Sequence, residues 1–207
     1  MTDSKYKISF TTGGLFYREA TKIVELYFQL RDWAHVRAQI HNENLLKTRT
    51  QSSLKRTARE LVQRMEVLTD DQLTILVDGS RQEQNQILWL AVCKQYSFVR
   101  EFAIEVVREK FLRLDLELSY RDFDIFFNRK AEWNEILDQT KESTRKKMRQ
   151  VLFRILAEAE IILPGGMIVP VMLSPRVARA VCDDDASFLA VFPISEIDMR
   201  MYKNDGR

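Results

Sequence analysis

The chain has 207 residues, of which 45% are hydrophobic and 30% are charged, and its net charge is +2. This balance excludes a disordered chain, and the length allows one large domain or two small ones. Two cysteines, Cys93 and Cys182, are too few for a disulfide scaffold and lack metal-site spacing. The start "MTDSKYKISFTTGG" has no signal-like apolar segment, and no apolar run could span a bilayer. We therefore predict a cytoplasmic protein with no membrane partner.

The first part of the chain is predicted to be helical. Apolar residues recur at helical spacing from Gly14 to Leu30, with Thr12 as a candidate cap, and Asp32 is suited to cap a second helix. After the polar linker "KTRTQSS", a basic helix is predicted from Ser52 to Leu68. Its apolar residues recur at three- and four-residue spacing, so this face is expected to pack inward.

The middle of the chain is predicted to form buried helices. The stretch "LTDDQLTILVDG" is typical of a short helix ending at Gly79, and Ser80 to Glu83 has capping-box spacing. The apolar stretch "NQILWLAVCKQYSFVREFAIEVVREKFL" follows. We expect one or two core helices here, whose aromatic side chains pack rather than hold a cofactor.

A second unit repeats the first at an offset of ninety residues. The stretch "RDFDIFFNRKAEWNEIL" from Arg121 matches "RDWAHVRAQIHNENLLK" from Arg31. The stretch "TKESTRKKMRQVLFRIL" from Thr140 matches "TQSSLKRTARELVQRME" from Thr50. These matches predict two related helix-turn-helix units.

The end of the chain differs from the first unit. The stretch "AEAEIILPGGMIVPVML" favours a β-hairpin, which directly after a basic helix would be the wing of a winged helix and would make the second unit the stronger DNA-binding candidate. Ser174 with Pro175 predicts the start of a short helix. The stretch "SFLAVFPI" is compatible with a strand, and the terminal "MYKNDGR" is predicted to be loose.

We therefore predict a mostly α fold with two helix-turn-helix-like units, the second followed by a small β-hairpin wing. The expected divisions are an N-terminal helical unit at residues 1–69, central buried helices at 70–117 and a C-terminal winged-helix-like unit at 118–207.

Positive charge is concentrated in the two basic helices. The segment from Lys47 to Arg64 has six basic residues against one acidic residue, a net charge of +5, and the segment from Lys141 to Arg154 has the same balance. The remainder of the chain therefore carries −8. This asymmetry favours a polyanionic partner, and basic and polar side chains at the start of a helix can reach phosphates and base edges. The candidate DNA-binding residues are Arg49, Ser52, Ser53, Lys55, Arg56 and Arg59 in the first unit, and Lys141, Ser143, Thr144, Arg145, Lys146, Lys147 and Arg149 in the second.

Other functions have weaker support. RNA or an acidic protein remains an alternative partner for the same surfaces, whereas a membrane surface is disfavoured because the apolar helix faces are needed for folding. There is no P-loop or dinucleotide-binding fingerprint, and the six-residue spacing of His35 and His41 does not place both on one helical face. Ser52-x-x-Lys55 and Ser143-x-x-Lys146 lack the other motifs of serine hydrolases. We therefore predict no catalytic residue, no metal and no cofactor.

The chain resembles the BrxA family of small core proteins from bacteriophage-exclusion (BREX) defence systems. The resemblance covers nearly the whole chain, including "TGGLFYREATKIVELYFQLRDWAHV", "ENLLKTRTQSSLKRTARELVQRMEVLTDDQLTILVDGSRQEQNQILWLAVCKQYSFVREFAIEVVREK" and "TKESTRKKMRQVLFRILAEAEIIL". It implies an all-helical or mostly helical cytosolic protein, encoded beside a methyltransferase and ATPases, that binds double-stranded DNA without known catalysis. We expect a monomer that binds DNA mainly through phosphate contacts, with no small-molecule substrate. The alternative is an adaptor that binds other BREX proteins through its basic faces.

Overall fold

A computed structural model describes residues 6–205 and confirms the mostly helical fold. A 3-10 turn (Ser9–Thr11) precedes the first α-helix, a π-helical segment (Ala103–Arg108) joins α6 to α7, and a 3-10 helix (Ala186–Val191) joins α11 to the last helix. The α-helices within the described residues are α1 (Tyr17–Leu30), α2 (Trp33–Glu43), α3 (Gln51–Met65), α4 (Asp70–Asp78), α5 (Arg81–Gln95), α6 (Ser97–Phe102), α7 (Glu109–Leu112), α8 (Tyr120–Ala131), α9 (Glu135–Asp138), α10 (Glu142–Glu158), α11 (Pro175–Asp185) and α12 (Glu196–Asp205).

Three helices begin where the sequence predicts. At each start a side chain accepts hydrogen bonds from the free backbone N–H groups. Asp32 accepts hydrogen bonds from the second and third residues of α2, at 2.6 and 3.0 Å. Ser80 and Glu83 form a complete capping box at the start of α5. Ser174 caps α11, whose first residue is Pro175.

Helix α1 begins later than predicted. Its N-cap is Phe16, which has a left-handed backbone (φ 61°) and makes no side-chain capping bond, so the prediction of Thr12 as the cap is wrong. The chain first turns at Gly13, whose φ of 109° favours glycine. A Cβ atom at Gly13 would lie 1.9 Å from the Phe16 ring, so the ring would have to move to admit a side chain there.

The core is built around α5, which contacts α1, α3, α4, α10 and α11. Ile87 to Cys93 are all buried, and the indole N–H of Trp89 donates to the carbonyl of Val191 at 3.0 Å. The predicted central helical region is interrupted at Tyr96, where the backbone is extended. Beyond it, Phe98 and Phe102 of α6 pack edge-on against the aromatic face of α8.

The predicted β-hairpin wing is wrong, because residues 6–205 contain no β-strand. The described residues form two isolated antiparallel bridges, between Glu117 and Met167 and between Ile162 and Ile168. The turn "LPGGM" does form, but pairing ends near Pro170, which has no N–H to donate. The side chains of Ile162 and Ile168 are buried, so this segment packs into the core instead of projecting as a wing.

The end of the chain also differs from two predictions. The segment proposed as a strand, "SFLAVFPI", begins as the 3-10 helix Ala186–Val191. The terminal segment proposed as loose is helical from Met201 to Asp205 within α12, and its last two residues lie outside the described part of the chain. Tyr202 holds this end in place, since its hydroxyl accepts the Leu173 N–H at 3.1 Å.

Candidate nucleic-acid interface

Helix α3 separates an apolar face from a basic one. Thr50 caps the helix by accepting the Ser53 N–H at 3.2 Å. The inward face is fully buried and is made of Leu54, Ala58, Leu61, Val62 and Met65. The opposite face follows the helical repeat and consists of exposed polar and basic side chains, namely Ser52, Lys55, Arg56 and Arg59.

The cations of this face and of the loop before it are unpaired. We define the α3 basic surface as Lys47, Arg49, Lys55, Arg56 and Arg59, all of which are exposed. Within residues 6–205 none of the five forms an ion pair. The segment 44–59 contains no acidic residue, so the full charge of the surface faces solvent.

The loop that carries Arg49 is held by one asparagine. Asn44 adopts a left-handed backbone (φ 46°), which asparagine tolerates better than most residues. Its side-chain oxygen accepts the Thr48 N–H at 3.1 Å, and its side-chain amide donates to the Thr48 carbonyl, also at 3.1 Å. These two hydrogen bonds, which we call the Asn44–Thr48 staple, fix the conformation of the loop that leads into α3.

Arg64 does not belong to the α3 basic surface, although it contributes to the net charge of the segment from Lys47 to Arg64. Only 1% of it is exposed, and its Nε donates to the Glu60 carboxylate at 2.8 Å. The same carboxylate accepts the hydroxyl of Tyr96, and Arg64 Nη1 donates to the Gly14 carbonyl at 2.8 Å. Burial and the Glu60 charge raise the pKa of Tyr96, so its hydroxyl keeps its proton. Because Arg64 and Glu60 neutralise each other, the net charge of +5 in the segment from Lys47 to Arg64 comes from its exposed residues.

Two basic side chains of helix α10 are paired with an acidic residue, which the sequence does not predict. Its inward face is Met148, Val151, Leu152 and Ile155, all of them fully buried. Arg145 donates to the Asp124 carboxylate of α8 at 3.1 Å, and Arg149 donates to the other oxygen of the same group. The two arginine side chains are only 21% and 22% exposed.

Aromatic rings of α8 hold the same two arginines. The guanidinium of Arg145 lies 4.7 Å from the centre of the Phe127 ring, and that of Arg149 lies 4.7 Å from the centre of the Tyr120 ring. These contacts turn both arginines toward α8. The exposed candidates that remain in this unit are Lys141, Ser143, Lys146 and Lys147.

The two units therefore offer unequal surfaces. In the first unit Arg49, Ser52, Lys55, Arg56 and Arg59 are exposed, and Ser53 is half-buried. In the second unit Thr144, Arg145 and Arg149 are half-buried, and Lys146 lies 3.4 Å from the Glu142 carboxylate. The wing that favoured the second unit is absent from the described residues. The α3 basic surface is thus the larger unpaired cationic surface of the two.

The two basic helices begin at nearly corresponding positions, Gln51 and Glu142, but differ in their approach. The first unit has the stapled loop, whereas the second inserts the short helix α9. Thr50 caps α3, but Thr140 donates its hydroxyl to the Ile136 carbonyl at 2.7 Å, and α10 has no side-chain cap. For the two basic helices the ninety-residue match therefore extends to their starts but not to their caps.

None of the helices in the part of the chain that the structure describes is both long and apolar enough to cross a membrane. Within the same residues, His, Cys, Asp and Glu side chains form no group of three suited to a metal ion.

The fold and its surface define a mostly helical protein with two basic helices. The exposed cations of α3 pair with no described residue, whereas the arginines of α10 are partly paired. A crystal structure of an uncharacterized protein from Magnetospirillum magneticum has the same fold, with a TM-score of 0.77 and 22% sequence identity. The match covers 92% of this chain and 98% of that one.

Sequence comparison gives the family. The BrxA family model matches residues 4–184, and the chain belongs to the BrxA family. Proteins named BREX protein BrxA from Bacillus cereus (strain H3081.97) and Escherichia coli O9:H4 (strain HS) are each 28% identical to it. These matches cover 74% of this chain and 77% of the first relative, and 71% of this chain and 69% of the second.

Proposed function

We propose that this protein is a non-catalytic, double-stranded DNA-binding component of a BREX anti-phage defence system. Its family and the names of its relatives support the role in BREX defence. The observation that supports DNA binding is the α3 basic surface, with five exposed cations and no ion pair to any described residue. Such a surface attracts the phosphate backbone without selecting a sequence.

The apolar face of α3 is used in the core, so the helix presents only its polar face to a ligand. Ser52 lies at the start of that face and supplies a hydroxyl for a phosphate oxygen, while Lys55, Arg56 and Arg59 follow along the helix. The exposed lysines of α10, Lys141, Lys146 and Lys147, provide a second and weaker contact region.

The test is fluorescence anisotropy with a labelled duplex across a salt series. Each phosphate contact contributes about −0.9 to the slope of log affinity against log salt, so three to five contacts predict a slope of about −2.7 to −4.5. The triple variant Lys55→Glu, Arg56→Glu and Arg59→Glu should abolish binding at physiological salt. The charge-matched control is Arg179→Glu, Arg200→Glu and Lys203→Glu, three exposed cations on α11 and α12. Equal weakening by both triple variants, or no binding by the wild type at low salt, would contradict the proposal.

A second candidate function is an adaptor that binds another protein of the system, since an acidic protein would also fit the α3 basic surface. One observation favours a protein contact. Trp133, between α8 and α9, is 86% exposed, and Ile125 on α8 is 57% exposed. Tryptophan is enriched among the residues that contribute most to binding at protein interfaces, so Trp133 is the candidate anchor for such a contact. Co-purification of the complete system with and without nuclease separates the two functions, because a protein association survives the nuclease and is weakened by Trp133→Ala.

A further inference from the structure

A cavity of about 480 Å³ lies beside the start of α1, and DNA binding by α3 does not use it. Three separate parts of the chain line it: the loop and first turn from Gly13 to Glu19, the first residue of α5, Arg81, and the last two turns of α10 with Arg154 and Glu158. Its volume falls in the range of small-molecule sites, which is roughly 300–1,000 Å³.

Three arginines from these parts converge on the cavity. Arg18 and Arg81 are exposed and form no ion pair with any residue from 6 to 205. The guanidinium carbon of Arg81 lies 3.2 Å from the centre of the Tyr17 ring, so it stacks on the ring. Stacking leaves the N–H groups at the edge of the guanidinium available to a ligand. The Nε of Arg154 is 4.0 Å from the nearest Glu158 oxygen, which is too far for a hydrogen bond.

One carboxylate of the protein, that of Glu158, lines the cavity. The Glu158 carboxylate accepts the Leu15 N–H, just before α1, and α1 has no side-chain cap. Gly14 permits this approach, because a Cβ atom there would lie 2.3 Å from a Glu158 oxygen. The lining therefore contains three arginines against two glutamates, Glu158 and Glu19.

We propose that this cavity binds a phosphate group through Arg18, Arg81 and Arg154. Guanidinium groups suit phosphate because their parallel N–H donors match two phosphate oxygens. The phosphate belongs either to a small phosphorylated molecule or to the DNA backbone, and the chemistry of recognition is the same for both. The proposal does not rest on DNA binding by α3, since it involves none of the α3 basic surface.

The experiment is isothermal titration calorimetry of the full chain with sodium pyrophosphate at low ionic strength. We expect saturable binding that is weakened tenfold or more by Arg81→Gln and, separately, by Arg18→Gln and by Arg154→Gln. Arg200→Gln removes the same charge from α12 and should leave the affinity unchanged. Because the three variants are independent, a folding defect in one, seen in its thermal melt, leaves the other two decisive. Absence of pyrophosphate binding by the wild type, or equal weakening by Arg200→Gln, overturns the proposal.

A fourth variant should raise the pyrophosphate affinity instead of lowering it. Glu158→Gln keeps an oxygen that accepts the Leu15 N–H but removes the negative charge beside the site, so pyrophosphate affinity should rise several-fold. Unchanged or weaker affinity would place the anion elsewhere and overturn the proposal. Competition by duplex DNA then identifies the source: displacement of pyrophosphate indicates a backbone phosphate, and simultaneous binding indicates a small phosphorylated ligand.

Discussion

Arg64 of α3 and Glu158 of α10 bind opposite sides of the same peptide group. Arg64 donates to the Gly14 carbonyl at 2.8 Å, and Glu158 accepts the N–H of Leu15, which is the other half of that peptide. The two basic helices, far apart in sequence, are therefore positioned against one short loop. A change in this loop should affect both helices together.

Replacing Arg64 by Ala should strongly destabilise the fold. The substitution leaves the Glu60 carboxylate buried without its cation, and breaking a buried pair in this way costs about 3–5 kcal/mol. Urea denaturation measures the change. Arg59→Ala, five residues earlier on the exposed face of α3, is the matched control and should change the free energy of unfolding by less than about 0.5 kcal/mol. Similar effects of the two substitutions would show that Arg64 is not buried as described.

Two neighbouring glycines should differ in their tolerance of alanine. Gly13→Ala places a methyl group 1.9 Å from the Phe16 ring at a backbone φ of 109°, so both space and backbone conformation oppose it. Gly14→Ala meets only the carboxylate of Glu158, which is the end of a flexible side chain and can move. We expect a larger loss of melting temperature for Gly13→Ala than for Gly14→Ala. The reverse order in a calorimetric scan would contradict this description of the loop.

Removing the charge of Asp124 should strengthen DNA binding. This carboxylate pairs with Arg145 and Arg149, so within the described residues Asp124→Asn leaves both arginines without an anionic partner, held only by neutral groups of α8. If both then contact phosphates, the salt slope becomes steeper by about 1.8. Anisotropy titrations of wild type and variant give both the affinity and the slope. Unchanged affinity and slope would contradict this prediction and show that neutralising Asp124 adds no arginine contact with DNA.

The two threonines before the basic helices should contribute unequally to stability. Thr50→Ala removes the cap of α3 and should cost about 1 kcal/mol. Thr140→Ala removes only the bond to the Ile136 carbonyl, so its effect should be smaller. Denaturant unfolding of the two variants side by side tests this difference, and equal losses would indicate that both threonines cap.

Glu83 should make stability dependent on pH in the acid range. Hydrogen bonds from the Ser174 hydroxyl and the Ser80 N–H lower the pKa of Glu83 below its usual value of 4.5. The folded protein therefore binds this proton less readily than the unfolded chain, and the stabilisation is present above pH 4.5 and lost as the pH falls below it. The stability difference between wild type and Glu83→Gln should be largest at pH 7 and shrink toward pH 3. Ser174→Ala, which removes a donor, should show the same trend.

Local features of the fold could be predicted because they depend on neighbouring residues. The caps at Asp32, Ser80 and Ser174 follow from a polar side chain next to a helical pattern. The wing prediction failed because an apolar run around a Pro-Gly-Gly turn satisfies a hairpin pattern even when its side chains are buried in the core. Burial of Ile162 and Ile168 depends on distant segments, which local patterns do not reveal.

The candidate site was predictable on one helix and less so on the other. The exposed face of α3 follows from its own periodicity. The pairing of Arg145 and Arg149 with Asp124 joins residues more than twenty positions apart, so helical periodicity gives no sign of it. For Arg64 a local signal was present: it lies three residues after Leu61 on the apolar stripe and four after Glu60, the spacing of a helical ion pair.

The Asn44–Thr48 staple has a thermodynamic consequence for ligand binding by α3. Because the loop carrying Arg49 is already hydrogen-bonded, its backbone need not become ordered when a ligand arrives. Coupled folding and binding produces a large negative heat-capacity change, whereas a preformed polar surface buries little apolar area. The binding enthalpy of duplex DNA should therefore vary little between 10 and about 35 °C in wild type. Asn44→Ala should make the enthalpy more temperature-dependent than in wild type, as loop ordering becomes part of the association.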